Sequence, residues 1–148
     1  MRIEDEIKQQ KFRNAQQKAI INLLYTSSWL QSKHQEFFKP FNITAQQFNI
    51  LRILKGQLPA STSATEIKSR MLDKNSDVSR LLDRLVVKQL ITRRVCEQDK
   101  RSADVCLTEA GINLLQEIDK KQLQLDTFLL LNDDDARLLS DILDKIRG

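Results

Sequence analysis

Cysteine, glycine, proline and histidine are all scarce in this chain, with two Cys, three Gly, two Pro and one His among 148 residues. Cys96 and Cys106 are too few for a multi-bridge secreted scaffold, and they lack any metal-ligand spacing. With no C-x-x-C pair and no glycine-rich phosphate loop, neither a metal nor a cofactor is expected. The lone His34 has no Ser or Cys motif near it, so the convergent acid, base and nucleophile that catalysis needs are missing. We therefore expect no enzyme. No apolar run approaches the roughly 18 residues of a membrane span, and the N-terminus MRIEDEIKQQK lacks the apolar centre of a signal peptide. The expectation is a soluble, cytoplasmic protein with no membrane partner.

What is plentiful is charge, at 30% of residues, set against 41% hydrophobic residues. Many charges with few helix breakers favour long helices over a many-stranded sheet. A chain of this length suits one domain, burying about two-thirds of the surface its unfolded form exposes. Net charge is only +4, but the basic excess peaks between residues 52 and 101, while residues 102–148 are net acidic. Such asymmetry suggests a polyanionic partner, because attraction to phosphates supplies most non-specific DNA affinity.

In chain order, residues 8–38 read as one helix. Phe12, Ala15, Ala19, Leu23, Ser27 or Leu30, His34 and Phe37 or Phe38 recur at three- and four-residue steps, widened by Ile20, Leu24 and Trp29. A helix of about thirty residues spans roughly 45 Å, more than one small domain covers, so a second subunit is expected to complete it. Pro40 stops it. Thr44-Ala-Gln-Gln47 has the form of a capping box, with Ile43 and Phe48 placed as a hydrophobic staple. That helix runs through Leu51 and Leu54 to Gly56, a plausible left-handed stop. Ser63-Ala-Thr-Glu66 is a second capping box, opening a short helix through Ile67.

After a turn at Asp73-Lys74, Asn75 or Ser76 is placed to cap the next helix, with Asp77 suiting the dipole of its first turn. Val78, Leu81, Leu82 and Leu85 form its buried stripe. Asn75, Ser76, Asp77, Ser79, Arg80 and Arg84 are left near its start or on its open face. Short polar and Arg side chains there are what a helix in the major groove uses to read base edges. Any solvated helix face has this look, but here a hairpin follows. Ile91–Cys96 and Asp104–Thr108 are β-branched runs about the charged turn 97–103. Thr108 then caps a helix with an apolar seam through Ile112, Leu115 and Ile118, continuing by Leu123 or Leu125 to Phe128 or Leu129. Asn132, followed by Asp133, Asp134 and Asp135, starts a last helix carrying Leu138, Leu139, Ile142, Leu143 and Ile146.

The fold class is mainly α (α+β), a winged helix-turn-helix with long N- and C-terminal helices. In a single domain over residues 1–148, residues 1–40 and 112–148 are the expected dimerisation helices of a homodimer. Residues 44–111 are the expected DNA-binding lobe.

Two stretches, V-S-R-L-L-D-R-L (Val78–Leu85) and D-K-R-S-A-D-V-C-L-T-E-A-G (Asp99–Gly111), resemble the signature of MarR-family transcriptional regulators. In element order the resemblance runs over residues 10–147. It implies a triangular homodimer that binds a pseudo-palindromic double-stranded DNA operator, usually as a repressor. It also implies release by a small phenolic or lipophilic ligand, or by an oxidant. By the same resemblance Arg101, with Lys100 beside it, looks like the wing residue entering the minor groove, and Asp99 orients the wing. Ser76, Asp77, Ser79 and Arg80 match the recognition-helix positions. The family's ligand pocket implies a role for Tyr25, Trp29, His34, Phe37 and Phe38, whose aromatic walls and one titratable group suit a small aromatic acid. The chain departs from the pattern where Leu72 and Gln89 stand in place of common glycines, and where Asp77 replaces a hydroxyl residue. Gln89 must then adopt a left-handed geometry at some cost, or end its helix differently. Oxidant-sensing relatives carry a cysteine on the first helix, and this chain has none there. Cys96 and Cys106 are either small packing residues or thiols activated by Arg93 and Arg94. The alternative to DNA binding is a winged-helix adaptor for another protein, which would lack the salt dependence of counterion release.

Overall fold

The computed structural model describes residues 1–95 and 103–148. The chain divides into two compact units, residues 1–37 and 38–148.

The first unit holds a one-turn helix α1 (Ile3–Glu6) and the N-terminal part of α2 (Ala15–Phe38). The expected helix over 8–38 therefore starts late. Lys8 sits in the left-handed region at φ +54°. Asn14 Oδ1 accepts the Gln17 amide at 2.8 Å, and Gln17 Oε1 returns to accept the Arg13 amide at 2.6 Å, fixing the true start. At 24 residues, α2 is about 36 Å long. Glu4 pairs with Lys18, and this hydrogen bond holds the Glu4 carboxyl below its ordinary value.

The second unit begins with Phe38 and a single 3-10 turn, Lys39–Phe41, built on Pro40. The expected capping box forms in full at α3 (Ala45–Gln57): Thr44 Oγ1 accepts the Gln47 amide and Gln47 Oε1 accepts the Thr44 amide, both at 3.1 Å. Gly56 does not stop this helix; it stays helical, and the chain leaves at Leu58. At Thr62–Ser63 lies a two-residue strand, β1, which the sequence reading missed. Ser63 then caps α4 (Ala64–Arg70) by accepting the Glu66 amide at 3.1 Å. The box stays half-made, because the Glu66 carboxylate takes the Arg70 guanidinium at 2.8 Å instead.

Helix α5 (Val78–Val87) leads into β2 (Ile91–Val95) and β3 (Ala103–Leu107), and the sheet order is β1-β3-β2, all antiparallel. The β2–β3 register places Ile91 opposite Leu107 and Arg93 opposite Val105. After β3 come α6 (Glu109–Asp119), the short α7 (Gln122–Asp126) and α8 (Asp133–Arg147). The single seam expected from Ile112 to Leu129 is broken at Lys120–Lys121, where the chain restarts as α7. Helix α6 packs on α3 and β3, and its Leu115 and Ile118 are fully buried.

Ile50, Leu51, Ile67, Leu82, Leu85, Ile91 and Val105 complete this core at or below 1% exposure. Each large apolar side chain so buried contributes about 1.5–3 kcal/mol of transfer free energy. The core therefore clamps α5 from beneath, fixing which of its faces looks outward.

Candidate nucleic-acid interface

Helix α5 begins at a cap other than the one expected. Asp77, not Asn75 or Ser76, is the N-cap, and its carboxylate accepts the Arg80 amide at 3.1 Å. Asn75 instead donates its amide to Asp73 Oδ1 at 2.9 Å, closing the preceding turn. Ser76 is only 6% exposed, and its Oγ has no hydrogen-bond partner among the described residues. Of the two expected positions, near the helix start or on its open face, it takes the first, shielded from solvent. The turn is also tied to α3, since Asn49 Oδ1 accepts the Leu72 amide at 2.9 Å. Leu72 itself, in the position of a common glycine, is 89% exposed.

Val78, Leu81, Leu82 and Leu85 are buried as expected, which leaves Ser79, Arg80, Asp83 and Arg84 exposed on α5. Arg80, Arg84 and Asp83 therefore share the outward stripe, three- and four-residue steps apart.

The exit of α5 explains the Leu-Thr-x-x-Gly signature physically. Gln89 sits at φ +61°, and the amides of Gln89 and Leu90 turn back to the Val86 and Leu85 carbonyls at 2.9 and 3.1 Å. This is a left-handed helix stop made without glycine. The freed Gln89 and Leu90 carbonyls are then taken by Thr108, whose hydroxyl donates to Gln89 at 2.7 Å and whose amide donates to Leu90 at 3.1 Å. The same hydroxyl caps α6 by accepting the Gly111 amide at 3.0 Å. At Gly111 a Cβ would stand 2.3 Å from the Leu90 carbonyl oxygen, so only glycine fits. One threonine and one glycine thus lock the exit of α5, the hairpin strands and α6 together.

The hairpin joins α5 a second time. Arg93 on β2 donates from its guanidinium to Asp83 Oδ1 at 2.7 Å. Sequence reasoning missed this pair, since no periodicity rule links residues ten apart across a helix-to-strand turn. Cys106 on β3 is half-buried, a free thiol. Cys96 and the expected wing residues Asp99, Lys100 and Arg101 lie outside the described residues.

Two of the residues expected for a ligand pocket, Tyr25 and Trp29, line one cleft. In the first unit a cleft of about 250 Å³ is lined by Ile3, Glu6, Asn22, Tyr25, Thr26 and Trp29 among others. Tyr25 and Trp29 belong to it; His34, Phe37 and Phe38 do not. Phe37 and Phe38 are buried, and the Phe38 ring lies 4.6 Å from that of Phe48. His34 is half-buried, and that burial lowers its pKa. The group that does face the cleft is Glu6, whose carboxylate accepts the Tyr25 hydroxyl at 2.6 Å and raises the phenol's pKa.

Among the described residues there is no cluster of metal-ligating side chains, and no helix is long and apolar enough to cross a membrane. A short helix, a turn and an outward-facing polar helix, followed by an antiparallel hairpin, define a winged helix-turn-helix of the transcription-regulator class. The MarR family model matches residues 43–103, which span α3 to the start of β3. The fold is similar to that of the MarR transcription factor from Planctomyces limnophilus, with a TM-score of 0.71 at 29% identity, covering 92% of this chain and 95% of that one. Residues 43–103 thus carry the MarR family segment, and the chain as a whole is similar in fold to MarR-family transcriptional regulators. It is also similar to S. aureus MepR in a DNA complex, with a TM-score of 0.74 at 25% identity over 84% of this chain and 92% of MepR. The HTH-type transcriptional regulator PecS of Dickeya dadantii is 29% identical over 82 residues, 55% of this chain and 49% of PecS. The chain matches about half the length of its curated relatives.

Proposed function

We propose that the chain is a sequence-specific DNA-binding regulator, a homodimer that represses transcription from a pseudo-palindromic operator. The observation that carries this reading is the outward stripe of α5. Arg80 and Arg84 stand on it, exposed, above a stripe that the core holds rigidly. Arg80 lies at the helix N-terminus, where a side chain reaches base edges, and Arg at such a position pairs bidentately with guanine. Ser79 and Asn75 are exposed beside it. The likeness to MepR, solved with DNA, supports the same use of the face. Titration of a labelled mixed-sequence duplex at several KCl concentrations tests it. Affinity should fall steeply and linearly in log–log form as salt rises. Flat or absent binding would favour the protein-adaptor reading.

The dimer rests on apolar area. Ile20, Leu23 and Leu24 on α2 and Leu138, Ile142 and Ile146 on α8 are all more than 40% exposed, with individual values from 44% to 67%. Apolar faces of this kind mark interaction surfaces.

An effector remains part of the reading, with its chemistry revised. The Tyr25–Trp29 cleft carries the Glu6 carboxylate, which repels an aromatic acid and suits a neutral or cationic aromatic molecule. Trp29 is the only tryptophan, so its fluorescence reports occupancy directly. Quenching by an aromatic ammonium ion but not by benzoate is the expected result.

A further inference from the structure

A carboxylate on the face that meets a polyanion needs a reason. Asp83 lies on the outward stripe of α5, one turn beyond Arg80 and next to Arg84, and its side chain is 69% exposed. Its partner Arg93 reaches back from β2, is the more sheltered of the two at 28% exposure, and holds the carboxylate at 2.7 Å. Ion pairs this exposed contribute little to folding, so stability does not account for it.

We infer that Asp83 is a specificity-determining residue of the DNA surface, acting by withholding the Arg93 guanidinium from phosphate. This rests on the DNA-binding reading above. A free arginine beside the recognition helix would add a contact that every sequence offers, strengthening non-specific binding without improving discrimination. Paired with Asp83, Arg93 has its charge offset and one arm of its guanidinium engaged. In return Arg93 keeps the Asp83 carboxylate from repelling the backbone. The two residues form a neutral joint between recognition helix and hairpin, leaving Arg80 and Arg84 to face the groove.

The two halves of the pair should therefore fail in opposite directions. Asp83→Asn releases Arg93, so the slope of log affinity against log salt should steepen by about 0.9, the value of one added phosphate contact. Affinity for a mixed-sequence duplex should rise, and the ratio of specific to mixed-sequence affinity should fall. Arg93→Gln leaves an unpaired carboxylate, so affinity for all sequences should fall and the slope should become shallower. The double variant restores local neutrality and should return the slope to that of wild type. The measurement is fluorescence anisotropy with a mixed-sequence duplex and a selected operator duplex over a range of KCl, for all four proteins. Melting curves check folding, with Asp83→Ser as a second neutral variant. Opposite shifts cancelled in the double variant support the inference. If both single variants weaken binding alike, or Asp83→Asn leaves the slope unchanged while wild type binds DNA, the inference is overturned alone. If wild type binds no duplex at any salt, the DNA-binding reading falls and the inference with it.

Discussion

Gly111 and Gln89 make opposite demands on the backbone, and both can be tested by substitution. At Gly111 the obstacle is the Leu90 carbonyl oxygen, 2.3 Å from where a Cβ would sit, with Leu107 Cδ2 at 3.1 Å. Backbone does not yield as a side-chain tip would, so Gly111→Ala should destabilise the fold by about 1–3 kcal/mol. Gln89 holds φ +61°, where an L side chain is strained by roughly 1–2 kcal/mol. Gln89→Gly removes that strain but adds unfolded-state entropy, so a net gain of about 0.5–1 kcal/mol is expected. Urea denaturation midpoints for the two variants should move to opposite sides of wild type. The two arginines singled out for DNA contact differ by chemistry. Arg80→Ala should cost about 1–3 kcal/mol and abolish discrimination at one base pair in each half-site. Arg101→Ala, assigned by the Asp-Lys-Arg motif, should cost a similar amount but relax preference at flanking A·T positions, where a narrow minor groove attracts arginine. Operator-variant titrations separate these outcomes. Equal weakening on every sequence would make Arg80 a phosphate clamp, and wild-type binding by Arg101→Ala would remove it from the wing contact.

At the scale of elements, the start of α5 is set by Asp77 alone. Asp77→Ala should cost about 1 kcal/mol through loss of the cap, while Asp77→Asn should cost much less, since its amide oxygen still accepts the Arg80 amide. Thermal melts of both variants check this; equal losses would mean that the charge at the helix N-terminus matters more than the cap. The sequence made the helix legible but not its first residue, because Asn75, Ser76 and Asp77 are all competent caps and only the turn's hydrogen bonds choose between them. The capping box at Thr44, the cap at Thr108 and the buried stripe of α5 were readable because each depends on neighbours three or four residues away. The strand β1 was not, because two residues carry no periodicity and its pairing with Val105 and Asp104 is long-range. The start of α2 was misjudged for a similar reason: apolar residues recur on both sides of Lys8 and Asn14, and the local backbone breaks the pattern. Glu6, which lines the same cleft as Tyr25 and Trp29, was not legible there, because it comes from a separate helix.

Across the whole molecule the account requires a dimer that reads DNA with two copies of α5. Asp at both Leu139 and Leu143 would place charge on the apolar face of α8, so that variant should sediment as a monomer and lose operator affinity together. An unchanged dimer would move the interface elsewhere. Two recognition helices related by a two-fold axis must meet successive major grooves about 34–36 Å apart, which fixes half-site spacing near one helical turn or a multiple of it. The most direct measurement is therefore selection of bound duplexes from a random pool by the purified protein. The account expects recovery of an inverted repeat, its half-site centres about 10–10.5 base pairs apart or a multiple, with binding that weakens steeply as salt rises. A pool that shows no enrichment, or one enriched for a single asymmetric site, would contradict it.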